Sequence, residues 1–152
     1  MFALIRDCAK RRHVGQHLGT TYKTEFMNKK YVIEINGRQI GCTAFEFADA
    51  PMGVVYDKII FYQIESPYEF FRNHCKTYNV SINLDDPKER MIDTVVIPQL
   101  KVFKENGQEL NGWGGAVTGM DSDEFEIQFG GVTSELMQTE FENHYKDYWG
   151  NQ

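Results

Sequence analysis

No stretch of the chain approaches the roughly 18 to 20 consecutive apolar residues that a membrane-spanning helix requires, so no integral membrane protein is expected. The apolar start Met1–Ile5 is followed at once by Arg6 and Asp7. A secretory signal has the reverse order, with its positive charge ahead of a longer apolar stretch. Cysteine is scarce and odd in number: Cys8, Cys42 and Cys75 stand at unrelated spacings. They make no complete disulfide framework, and the reading that follows is reduced thiols and a cytoplasmic location. Internal repeats and low-complexity tracts are absent as well, as is any linker long enough to separate two cores. One domain spanning residues 1–152 is the expectation.

The motifs of common chemistry are also missing. Gly112, Gly114, Gly115 and Gly119 make a glycine-rich stretch, but neither a Gly-Lys-Ser/Thr ending nor G-x-G-x-x-G accompanies them, which leaves no phosphate or dinucleotide loop. Asp121-Ser122-Asp123-Glu124 resembles the opening of a calcium loop. The central glycine and the terminal bidentate glutamate are lacking, and a polar turn is the reading. Cys8, His13 and His17 are ligand types for zinc, yet a fourth ligand is missing and Gly15 interrupts the helix that the His-x3-His spacing requires. His74 and Cys75 are adjacent, so on a helix they point about 100° apart and form no thiol–imidazole dyad. Cys75 reads as a buried residue and His144 as a neighbour of an apolar helix stripe. No catalytic residue, metal or cofactor is assigned. The short basic run Lys10-Arg11-Arg12 is too little for nucleic acid in a chain of net charge −6.

What is present is apolar material and acid. Hydrophobic residues make up 41% of the chain and aromatic residues 14%, enough for a core at this length. The charge is divided along the chain. Residues 1–30 hold seven basic against two acidic side chains, and residues 119–152 hold eight acidic against one basic. The first segment reads as a basic, partly irregular arm, with a short element over 2–9.

Beyond it, Tyr31, Ile33 and Ile35 alternate with Val32, Glu34 and Asn36, and Asn36-Gly37 is a type I′ hairpin signal whose return strand runs over about 39–47. Residues 54–64 read as one long strand, with Tyr56, Lys58, Ile60, Tyr62 and Ile64 on a common face. Ser66-Pro67-Tyr68-Glu69 opens a helix ending near Tyr78. Asp85 and Asp86 are assigned to capping a short helical turn, and strands are expected at 94–97, 101–103 and 125–129. Thr133 or Ser134 caps a last helix whose stripe is Met137, Phe141, Tyr145 and Tyr148. The sum is an α+β fold, a mainly antiparallel sheet of about six or seven strands with two main helices on one side.

A small, acidic, aromatic-rich, unsegmented α+β chain is similar to the immunity proteins of bacterial contact-dependent inhibition and polymorphic-toxin systems. That resemblance implies a protein-binding inhibitor that meets a basic toxin domain by acidic complementarity. It assigns no residue. The candidate contact residues are the acids of the last third, Asp121, Asp123, Glu124, Glu126, Glu135, Glu140 and Glu142, together with Trp113, a large rigid aromatic set among glycines. The alternatives are a small enzyme whose carboxylates and histidine converge only in space, and a subunit of a larger assembly.

Overall fold

The computed structural model describes residues 29–150. The proposed arm, Lys10-Arg11-Arg12 and the Cys8, His13, His17 set lie outside these residues. The described chain is α+β, with two antiparallel sheets in place of the one expected. Strands β1 (Tyr31–Ile35), β2 (Arg38–Thr43), β5 (Ile60–Phe61) and β8 (Leu100–Lys104) form a four-stranded sheet in the order β5-β2-β1-β8. Strands β3 (Phe47–Asp49), β4 (Val54–Lys58), β6 (Ile82–Asp86), β7 (Met91–Thr94), β9 (Gly114–Met120) and β10 (Phe125–Gly130) form a six-stranded one in the order β3-β4-β10-β9-β7-β6. Three helices complete the described fold: α1 (Pro67–Tyr78), α2 (Ser134–Thr139) and α3 (Glu142–Trp149).

Local signals form where they were read. Asn36 and Gly37 adopt φ of 50° and 81°, as a type I′ turn demands, and β1 pairs with β2 across it. Ser66 accepts from Glu69 N at 3.1 Å, and Pro67 occupies the first turn of α1. Asn79 ends that helix in the left-handed region, its N–H bonded to the carbonyl of Cys75.

Two long strands are cut by passage between sheets. The return strand stops at Thr43, and the chain leaves the smaller sheet through Phe45, whose φ is 49°. Phe45 reaches that conformation because its ring is buried against Tyr31, Phe129 and Phe141. The buried carboxylate of Asp57 takes Glu46 N at 3.1 Å and fixes the crossing. The expected strand 54–64 is likewise divided at Ile59. Tyr56 and Lys58 belong to the larger sheet and Ile60 to the smaller, so no common face joins them. The strand expected at 94–97 ends at Thr94, and Asp86 caps a turn by accepting from the N–H groups of Lys88 and Glu89.

The last helix is broken at Glu140 and Phe141, giving α2 and α3. Met137 and Phe141 are buried as the stripe predicts, whereas Tyr148 is exposed.

The core lies where both sheets meet. Tyr31, Ile33, Ile35, Ile40, Leu100 and Val102 from the smaller sheet join Val55, Ile92, Val117, Phe125, Ile127 and Phe129 from the larger. At Gly115 a side chain would strike Leu100 Cδ2 at 2.9 Å and Ile127 Cδ1 at 3.0 Å, so hydrogen is the substituent that lets β8 approach β9. Helix α1 closes the core over β7 and β9 through Phe71 and Cys75.

Cys75 is a free thiol in that core, and burial pushes its pKa up. It is expected to resist a bulky thiol reagent in the native protein and to react on unfolding. Rapid native labelling at Cys75 would contradict its placement.

Candidate functional site

The larger sheet has one buried and one open face. Along β10, Phe125, Ile127 and Phe129 point inward, and Glu126, Gln128 and Gly130 point outward. The strand registers carry this alternation across the sheet. Gln128 lies between Tyr56 of β4 and Ala116 of β9, and Glu126 between Lys58 and Thr118. Thr118 is opposite Asp93 of β7, which is opposite Leu84 of β6. None of these outward residues is buried. Phe47 of β3, 52% exposed, stacks on Tyr56 with ring centroids 5.6 Å apart. Phe47 and Tyr56 thus lie toward one edge of this face and Met91 and Leu84 toward the other, with Gln128, Glu126, Thr118 and Asp93 between them.

Trp113 stands at the head of this face. Its backbone N–H donates to Gly130 O at 2.8 Å. A side chain on Gly131, whose φ is 76°, would meet Trp113 Cγ at 2.5 Å, and one on Gly130 would meet Cε3 at 3.5 Å. The indole therefore lies against bare backbone at the end of β10. It is 79% exposed. The Gly130-Gly131 pair does more than end a strand, for it makes the seat on which the tryptophan is presented.

The acids divide into those already neutralised within the chain and those that are not. Asp121 accepts from Ser66 Oγ at 2.6 Å, Tyr68 N at 2.9 Å and Arg90 Nε at 2.8 Å. Burial pushes its pKa up, but these three partners outweigh that and hold it below the usual carboxylate range. It ties the β9–β10 turn to the start of α1. Glu140 is likewise engaged within the chain. Tyr31 OH donates to it at 2.7 Å, and Lys104 and Lys29 lie at 3.2 and 3.3 Å. Burial raises its pKa too, and the hydrogen bonds from Tyr31 and Lys104 with the charges of both lysines bring it below the ordinary value.

Glu142 pairs with Lys146 on α3, and Glu124 with Lys58 at 3.8 Å. Asp85, assigned by sequence to capping, instead accepts from Tyr68 OH and Arg72 Nε, which lower its pKa. Among the described residues Asp123, Glu126 and Glu135 have no cationic partner. Glu126 touches only Gln128 Nε2, at 3.1 Å, and Asp93 only Asn83 Nδ2, at 3.2 Å.

The acidic contact set is therefore dispersed. Glu126 and Glu124 share the open face with Trp113, while Asp123 sits on the turn at the opposite end of β10 and Glu135 opens α2. Glu142 belongs to a separate cleft of about 280 Å³ beside Lys29, Glu46, Glu140, His144 and Asp147. There His144 Nε2 is 2.6 Å from the carbonyl oxygen of Phe45, and Lys29 already engages Glu140. Among the described residues no three His, Cys, Asp or Glu side chains converge as a metal site. Sequence reasoning missed Phe47, Tyr56, Met91, Leu84 and Asp93. Only the strand registers place them beside Glu126 and Trp113.

The cysteines need a further correction. Cys42 is disulfide-bonded and Cys75 is free, so the expectation of reduced thiols throughout does not hold. Among the described residues no helix is long and apolar enough to cross a membrane. Comparison with protein-family models, curated proteins and solved structures finds no match.

Proposed function

We propose that this chain is a protein-binding inhibitor of the immunity type and that it meets its target on the open face of the larger sheet. The observation that carries this reading is Trp113, held over the Gly130-Gly131 backbone and left 79% exposed. A large exposed aromatic seated on backbone suits an interface anchor, because its burial removes a large apolar area from water. Acidity supports a basic target. Residues 29–150 carry twenty acidic and eleven basic side chains, and such a field speeds encounter with a cationic surface such as that of a nuclease toxin.

The test starts from capture of a basic partner under native conditions, followed by titration with purified protein. Trp113→Ala is expected to weaken the complex by about 30-fold or more, the effect of losing an anchor worth roughly 2 kcal/mol. Its thermal unfolding should match the parent, since the ring supports no core residue. In cells, the parent should suppress the partner's toxicity and the variant should not. A partner held equally well by Trp113→Ala would sink the proposed surface.

A further inference from the structure

The two faces of the larger sheet are treated unequally. On the inner side α1 lies over β7 and β9, and on the outer side no described helix covers the same two strands, whose outward residues are half-buried. The outward residues of β9 include Ala116, Thr118 and Met120; Gln128 and Glu126 of β10 flank the two small ones on one side, Asp93 of β7 flanks Thr118 on the other, and Met91 stands opposite Met120. The result is a shallow trough over Ala116 and Thr118 that Met120 fills at one end.

Glu126, Thr118 and Asp93 stand in one register row. Neighbouring strands are about 4.8 Å apart, so the two carboxylates rise about 10 Å from each other across the trough, close to the diameter of an α-helix. Asp85, Asp121 and Glu140 each have an arginine or lysine within the chain, whereas among the described residues Glu126 and Asp93 hydrogen-bond only to side-chain amides, Lys58 opposite Glu126 being paired with Glu124. Two carboxylates without an ion pair among the described residues, on the rims of a weakly polar trough, are complementary to a cationic helix with one apolar stripe.

Resting on the reading of this face as protein-binding, we propose that the trough along β9 receives a basic amphipathic helix of the partner. Its small apolar side chains pack on Ala116 and Thr118. Its lysines and arginines reach Glu126 on one rim and Asp93 on the other, and Trp113 closes the end. The partner thereby supplies the helical layer that the outer face lacks, as α1 supplies it on the inner face.

The probe is a synthetic peptide of leucine, alanine, lysine and arginine patterned as an amphipathic helix of about four turns, titrated into the full-length chain while amide chemical shifts are followed. Scrambled and glutamate-substituted peptides serve as controls. The expected result is salt-sensitive binding with shifts centred on β9, β7 and β10, gain of helicity in the peptide, and at least a tenfold loss of affinity in Glu126→Gln/Asp93→Asn. Glu142→Gln, in the separate cleft, should bind as the parent does.

Equal binding of the scrambled peptide, unchanged affinity of the double variant, or shifts centred elsewhere would overturn the proposal. So would binding that emerges only when Lys10→Gln, Arg11→Gln and Arg12→Gln are combined, since the chain's own basic segment would then be the occupant. A salt-sensitive dimer whose formation Glu126→Gln/Asp93→Asn abolishes would assign the face to a second copy instead. With the captured partner the two proposals separate. If Trp113→Ala releases it and the double carboxylate variant does not, the helix proposal fails and the inhibitor surface stands. If Trp113→Ala leaves the partner bound, the surface itself fails.

Discussion

Phe71→Ala is expected to destabilise the protein by about 3–5 kcal/mol, the usual cost of truncating a buried phenylalanine. Phe71 is wholly buried on α1 and stacks on Phe125 at 5.8 Å, with Phe61 and Phe70 edge-on at 6.0 and 5.3 Å. Phe125 opens β10, the strand whose other side carries Glu126 and Gln128. The cavity left by alanine is walled by large rings that already touch one another, which limits how far it can collapse. Against a typical domain stability of about 5–15 kcal/mol, this is a large share.

The midpoint of thermal unfolding should fall by roughly 10 °C, at about 2–4 °C per kcal/mol for a chain of this size. Urea denaturation followed by tryptophan fluorescence measures the loss. A variant within 1 kcal/mol of the parent, on the order of a surface substitution, would contradict the placement of α1 on the inner face. Comparison with Trp113→Ala separates the two sides of the sheet, one holding the fold and the other proposed to hold the partner.

Glu140→Gln is expected to cost about 2 kcal/mol at neutral pH, less than the 3–5 kcal/mol of a fully buried pair because Lys29 remains half exposed to solvent. The carboxylate joins three parts of the molecule: Tyr31 of β1, Lys104 of β8 and the break between α2 and α3. The neutral amide keeps the shape, loses the charge that both lysines face, and can present only one oxygen to three donors.

The pH dependence has a definite sign. The pKa of Glu140 is lower in the folded chain than in the unfolded one, so the unfolded state binds the proton more readily. The stabilisation is then complete above the unfolded value of about 4.3 and is lost as pH falls through the folded value. Asp121 and Asp85, also lowered, act in the same direction and remain in the variant. Urea midpoints measured from neutral to strongly acidic pH should therefore converge for parent and Glu140→Gln as the solution becomes acidic, while both proteins lose stability. A gap independent of pH would show that packing, not charge, is what Glu140 contributes.

The lesson for sequence reading is divided by the range of the interaction. Asn36-Gly37, Ser66-Pro67 and the Thr133 cap determine their turn and helix starts because the atoms that satisfy them lie within three residues. The alternation of Phe125, Ile127 and Phe129 with Glu126 and Gln128 likewise assigned an inner and an outer face to β10, since side-chain direction follows from the strand period alone. The antiparallel α+β class followed from the sum of such signals.

What tertiary structure decided was where the chain changes sheets and which charges find each other. A run such as 54–64 is uniformly rich in strand-forming residues, and its division at Ile59 arises from packing between two sheets. The acids look alike in sequence, yet Asp121 is met by Arg90 from 31 residues away and Glu140 by the Tyr31 hydroxyl from 109 residues away, while Glu126 and Asp93 meet no cation among the described residues. A carboxylate's availability depends on which cations the fold brings within a few ångströms, and no local pattern encodes that distance. The sequence by itself determined how acidic the protein is and which strand face would carry Glu126. The fold decided which acids remain open to a partner, because it alone sets the separations over which charges act.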